Sequence, residues 1–147
     1  MTKWAHNHLG KQVGDGQCGE LADVALQALG AKPFWQLGPT GPDADYVWGS
    51  RVLKYGSGQK VDWTAVRPGD VIQFRNVNIE TVAKSGAFTY TVTWTFAHHT
   101  AVVYANQGHG RLTVLEQNIN EVKLVRQDQY NFTDMTQGTI WVYRPVQ

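Results

Sequence analysis

Between Ala87 and Phe96 the chain alternates with a strict period of two. Phe88, Tyr90, Val92, Trp94 and Phe96 fall on one side, and Thr89, Thr91, Thr93 and Thr95 on the other. That period makes a strand with one apolar and one wet face, and such a strand needs partners. The sequence supplies them. Val71 to Phe74, Val77 to Val82, Thr100 to Tyr104, Leu112 to Leu115, Lys123 to Val125 and Gly138 to Tyr143 are further strand-like runs. Helical patterns come earlier, over Thr2 to Leu9, ended by Gly10, and over Gly19 to Gly30. In the second, Leu21, Val24, Ala25, Ala28 and Leu29 recur at helical spacing and Gly30 is a natural stop. Helices first and strands later is the α+β pattern. Thr133 to Met135 is expected to form one helical turn, and Ala31 to Gly58, rich in Gly and Pro, is expected to be a long surface loop.

The chain has one cysteine, Cys18, at the point where the glycine-rich Val13-Gly14-Asp15-Gly16-Gln17 turns into the second helical pattern. Unpaired N–H groups and the positive end of the helix dipole stabilise a thiolate at a helix start. A lone cysteine is also often a small buried hydrophobe, so two readings stand on this feature alone. A nucleophilic thiol needs a base, and the base needs an orienting group. His98-His99 lies at the head of the Thr100–Tyr104 run, the turn Asn106 to Gly110 follows, and the next strand runs into Glu116-Gln117-Asn118. Antiparallel pairing across so short a turn brings His99 near Glu116 or Asn118. Alternation puts His99 on the face of Ala101 and Val103, and His98 on that of Thr100, Val102 and Tyr104. The small Ala101 leaves room for a neighbouring helix, so His99 is the expected base and His98 a residue of the rim.

These motifs, in this order, resemble the papain-like CHAP domains (cysteine, histidine-dependent amidohydrolases/peptidases) and their NlpC-type relatives. The match comprises Gly16-Gln17-Cys18 at a helix start, Pro68-Gly69-Asp70 opening a strand, His99-Thr100-Ala101-Val102-Val103, and Glu116-Gln117-Asn118. The resemblance implies a nucleophile helix packed on an antiparallel half-barrel of five to seven strands. It implies Cys18 as nucleophile, His99 as general base, Glu116 as its orienting group and Asn118 as a further polar support. Gln12, six residues before Cys18, stands where papain-like enzymes carry an oxyanion-hole glutamine. Gln17 and the Cys18 N–H are the other candidate donors. Trp48, in Tyr46-Val47-Trp48-Gly49, either lines a substrate groove or pins its loop to the core. CHAP sequences commonly follow the cysteine with Thr or an aromatic, whereas Gly19-Glu20 follow here. A carboxylate aimed at the sulfur would oppose the thiolate; alternatively Glu20 meets a substrate amine. More distantly, VGDGQCGELADVAL, HHTAVV, VLEQN and IWVYRPV are similar to the C-terminal domain of fungal cortical actin-patch scaffold proteins of the myosin-tail-region-interacting type. That likeness implies an intracellular domain acting on, or binding, a protein partner.

The 147 residues are expected to form one domain, 1–147, with 42% hydrophobic content for its core. A formal net charge of +1 and no Lys/Arg cluster argue against nucleic acid. No stretch has the length of a membrane span, and the first residues lack the apolar core of a signal peptide. A single cysteine forms no internal disulfide, which suits a reducing compartment, so a cytoplasmic location is expected. His6, His8 and His109 lack ligand spacing, and neither a metal nor a cofactor is expected. The expected function is thiol-dependent hydrolysis of an amide, peptide or isopeptide bond. An idle interaction domain with cytoskeletal scaffold partners and a peptidoglycan amidase are the alternatives.

Overall fold

The computed structural model describes residues 1–37 and 46–147. Two helices, α1 (Thr2–His6) and α2 (Cys18–Ala28), precede six strands: β1 (Ser50–Gly56), β2 (Val71–Ser85), β3 (Phe88–Gly108), β4 (Arg111–Glu116), β5 (Arg126–Asn131) and β6 (Met135–Arg144). The strands form one sheet in the order β1-β6-β2-β3-β4-β5, every described pairing antiparallel. Short 3-10 turns occupy Phe34–Gln36, Trp63–Ala65 and Phe132–Asp134. No helix among the described residues is long and apolar enough to cross a membrane.

α2 follows its sequence pattern closely. Gly30, at φ +73°, ends it in a paired cap, with Ala31 N–H donating to Leu26 O at 2.9 Å and Gly30 N–H to Gln27 O at 3.1 Å. Its inward stripe of Leu21, Ala22, Ala25 and Leu26 is buried. Leu21 and Leu26 each contribute about 1.5–3 kcal/mol by leaving water. The stripe packs with Val71, Val102, Leu115 and Trp141 on one face of the sheet. The other face encloses Ile72, Phe74, Val103, Val114, Tyr130 and Phe132.

Several boundaries differ from the sequence reading. α1 ends at His6 rather than Leu9. The stretch expected to be loop contains β1, which pairs with β6 and buries Leu53 and Tyr55; its two-residue alternation is hidden by flanking Gly and Pro. Residues 38–45 of that stretch lie outside the described residues. The runs at 71–74 and 77–82 are one strand that tolerates Asn76 at φ +50° as a break in its pairing with β6. Gly138 faces that break so closely that any Cβ there would strike the Asn76 carbonyl. The alternating run and the histidine run are likewise one strand, so His98-His99 lies mid-strand rather than at an opening. The strand expected at 123–125 is instead β5, starting at Arg126, because its polar residues pair across β4.

Pro68-Gly69-Asp70 has an architectural explanation. Asp70 is 1% exposed, accepts the Arg67 N–H at 2.8 Å, and takes Nε and Nη2 of Arg144 at 3.0 and 2.8 Å. This two-pronged pair ties the start of β2 to the end of β6. Arg144→Ala leaves a buried carboxylate unpaired and is expected to lower unfolding free energy by about 3–5 kcal/mol, measured by urea denaturation.

Candidate active site

Cys18 is the first residue of α2, and the loop before it is held from two sides. Asp15 accepts the Gln17 N–H at 2.9 Å, closing a local turn. Gln117, fully buried, accepts the Val13 N–H at 2.7 Å and donates to Val13 O at 3.0 Å and Gln17 O at 2.9 Å. One amide side chain thus fastens the nucleophile loop to the end of β4. Glu20 is turned back over Gly14, whose missing side chain makes the room, since a Cβ there would collide with Glu20 Oε2. Its charge acts on Asp23 rather than on the sulfur.

His99 is 3% exposed, and its ring is stacked on Phe96 at 4.7 Å and set edge-on to Phe74 at 5.2 Å. Its Nε2 lies 2.8 Å from Glu116 Oε1, which leaves Nδ1 as the ring nitrogen for the thiol. Burial pushes the Cys18 thiol up, but the hydrogen bond and charge of His99 and the N–H groups of Thr100 and Gly19 outweigh it. The thiol therefore sits below its ordinary range.

The sheet register explains this placement and revises its reason. Ala101 pairs with Glu116, so His99, two residues earlier, shares a face with Glu116 and with the barrel interior. α2 lies over the opposite face, that of Val102. The room left by Ala101 is filled by the barrel core, not by the helix, and Cys18 meets His99 around the edge of β3, past the Thr100 N–H.

Behind Glu116 stands a network that the sequence reading missed. Leu112, Val114 and Glu116 of β4 pair with Tyr130, Asp128 and Arg126 of β5, which puts all six side chains on one face. Tyr130 donates its hydroxyl to Glu116 Oε2 at 2.5 Å. Asp128 is gripped by Arg126, with Nη2 to Oδ1 at 2.8 Å and Nε to Oδ2 at 2.6 Å. Burial and the hydrogen-bonded Asp128 carboxylate raise Glu116 well above the usual carboxyl range, against the pull of Tyr130 and Arg126. Burial and the adjacent Glu116 push the Tyr130 hydroxyl up.

A cleft of about 460 Å³ opens at Cys18, and Gln17, Glu20, Trp48, His98 and Asn118 all line it. Trp48 lines this cleft and is also pinned to the core: it is 1% exposed, and its Nε1 donates to Gln73 Oε1 at 3.0 Å. Thr100 donates to the same oxygen at 2.8 Å, so Gln73, which carries no motif, supports the floor. Asn118, at φ +63°, donates from Nδ2 to Gln17 Oε1 at 3.0 Å. Gln12 is not brought to the site. It is exposed and donates to Gly14 O at 3.2 Å, because the Gly14–Gly16 turn carries the chain away between it and Cys18. Among the described residues no group of three or more His, Cys, Asp or Glu could hold a metal ion.

A helix bearing a thiol, laid against an antiparallel sheet bearing a histidine and its acid, is the cysteine proteinase fold. The chain belongs to the family described as the AIM3/BBC1 cysteine proteinase-fold domain, matched over residues 1–147. It is 28% identical over 155 residues to Altered inheritance of mitochondria protein 3 of Debaryomyces hansenii, a similarity covering 99% of this chain and 15% of that protein. The chain therefore spans only that small share of its curated relative. The crystal structure of Ly7917 superposes with a TM-score of 0.56 over 97% of this chain and 60% of that one, at 21% identity, a likeness of fold alone. Of the two resemblances in the sequence, the more distant one gives the family.

Folded Glu116 keeps its proton at pH values where the unfolded carboxyl has lost it. Folding takes up that proton, so stability falls as pH rises above the unfolded value of about 4.3. Glu116→Gln is expected to remove this decline above the unfolded carboxyl value in urea unfolding. It is also expected to keep the thiol reactivity that Glu116→Ala loses, since a neutral acceptor suffices to orient His99. Tyr130→Phe is expected to lower stability by about 1–3 kcal/mol, the cost of a buried acceptor left without its donor.

Proposed function

We propose that the domain is a thiol-dependent acyl-transfer enzyme that hydrolyses an amide bond in a peptide or protein, with Cys18 as nucleophile, His99 as general base and Glu116 as its orienting group. The observation that carries this reading is the thiol at the start of α2, hydrogen-bonded to His99 and held below its ordinary range. An idle domain has no physical reason to bury a histidine on a buried acid and aim it at a thiol.

In this mechanism Nδ1 of His99 takes the Cys18 proton and the sulfur attacks the substrate carbonyl. The Cys18 N–H at the head of α2 is one donor for the resulting oxyanion. Gln17 is the second, its amide oxygen held by Asn118 so that its NH2 serves the cleft. His99 then protonates the departing amine, and water, deprotonated by the same imidazole, releases the acyl group from sulfur. The CHAP-type likeness belongs to this proposal. It is supported by the order of the motifs and by the Glu116-Gln117-Asn118 segment, in which each side chain has a separate task.

A second reading is a protein-interaction domain of an actin-patch scaffold. It is favoured by the far end of the β2–β3 hairpin, where Phe88 is 77% and Tyr90 50% exposed, well outside the cleft. An interaction domain would lose its partner on substitution of those two residues and keep it in Cys18→Ala.

The first test is the iodoacetamide alkylation rate of Cys18 against pH, in the wild type and in His99→Ala. We expect a midpoint below the ordinary thiol value of about 8.5, moving upward in His99→Ala, and a thioester trapped by hydroxylamine when a peptide pool is supplied. An ordinary midpoint that ignores His99→Ala would overturn the reading.

A further inference from the structure

The lining of the cleft at Cys18 holds two chemically distinct sets of side chains. Asp15, Glu20 and Asp23 are one, and among the described lining residues there is no Lys or Arg. Phe34, Tyr46 and Trp48 are the other, with Phe34 edge-on to Tyr46 at 4.7 Å and to Trp48 at 5.4 Å.

Asp23 is the informative member. It lies in the middle of α2, is 9% exposed, and its Oδ2 accepts from Gln27 Nε2 at 3.1 Å. Its Oδ1 is buried with no hydrogen-bond partner. An unpaired buried carboxylate oxygen is costly, and because Asp23 is a residue of the cleft lining, a donor that reaches its carboxylate from the cleft removes that cost. Burial and the nearby Glu20 both raise Asp23, a strain on the charged form that a cation relieves. Aromatic ring faces attract the same kind of ligand. Cys18 and Asp23 are separated by roughly 7.5 Å of helix rise, which the flexible four-carbon stem of a lysine is suited to span.

We propose that this cleft is a specificity site for a cationic side chain, that of lysine or arginine, on the polypeptide whose acyl group Cys18 receives, with Asp23 and the aromatic Phe34, Tyr46 and Trp48 as its determinants. The acyl-transfer context rests on the function proposed above, but the binding step does not require the chemistry.

The test uses Cys18→Ala, in which no acyl transfer runs, titrated with three acetylated tripeptide amides that differ only in a central Lys, norleucine or Glu, followed by amide NMR shifts. The Lys peptide is expected to bind at least about tenfold more tightly than the norleucine peptide. Its advantage is expected to shrink with added salt and to disappear in Cys18→Ala/Asp23→Asn. Equal affinities, no measurable binding of any of the three, or a preference that survives Asp23→Asn overturns the proposal. The alkylation profile of the wild type separates the two ideas. Fast alkylation at low pH without a lysine preference removes only the specificity site, whereas an ordinary thiol with an intact preference removes the hydrolase and leaves the cation site.

Discussion

The arrangement depends on a carboxyl group placed where a carboxylate is hardest to keep. Glu116 is fully buried at the end of β4, with a phenol on one oxygen and an imidazole on the other. Ionised and unsupported, such a group would cost several kcal/mol. Supplied with Tyr130 and Asp128, it remains in place, its proton held more tightly than in an ordinary carboxyl, and as an acceptor it fixes the His99 ring and its tautomer. The aromatic packing around it follows from the same demand. Phe74, Phe96, Trp94 and Phe132 crowd Tyr130 and His99, and they exclude the water that would otherwise solvate the acid. The barrel core and the polar network are therefore one construction.

The nucleophile is on a different element, and two glutamines join the halves. Gln117 grips the loop before Cys18 through three hydrogen bonds, and Gln73 ties Trp48 and Thr100 together under the cleft. Neither touches the sulfur. Gln117 uses both its amide oxygen and its amide nitrogen on main chain, and one oxygen of Gln73 serves two side chains, which suits the relative placement of two layers to a tolerance that apolar packing alone does not give. The strained backbone lies in the same place, with Asn118, Asn120 and Glu121 at φ +63°, +50° and +65° immediately beyond Gln117.

What could be read from the sequence was local. Cys18 at a helix start, the Gly30 stop, the alternation of β3 and the His99–Glu116 proximity all follow from spacing over a few residues or from one short hairpin. The supports are not local. Tyr130, Asp128 and Arg126 acquire meaning only through the β4–β5 register, and the polar run that carries them gives no core-strand signal. β1 was hidden because its alternation sits among Gly and Pro, and Gln12 was misplaced because spacing alone does not show a turn through two positive-φ glycines, Gly14 and Gly16. Alternation separates the face of His99 from that of His98 but gives the wrong neighbour for it, since period two tells which residues share a side and not what covers it.

The adjacent histidines of β3 have a consequence for how the chain finds this arrangement at all. β3 carries two histidines in succession, so sliding it by one residue against β2 would still offer an imidazole to Glu116, now that of His98. The same slip would invert the strand, bringing Thr95 and Thr100 toward the barrel and turning Phe96 and Ala101 out. The histidine pair is blind to this error. The discrimination falls to the pleat: the slip would expose Phe96 and bury threonine hydroxyls, which fixes β3 on β2, while the break at Asn76 concerns β6 on the other side of β2. The choice between the two histidines is in this sense made by the apolar face of β3, several residues away from the ring it selects.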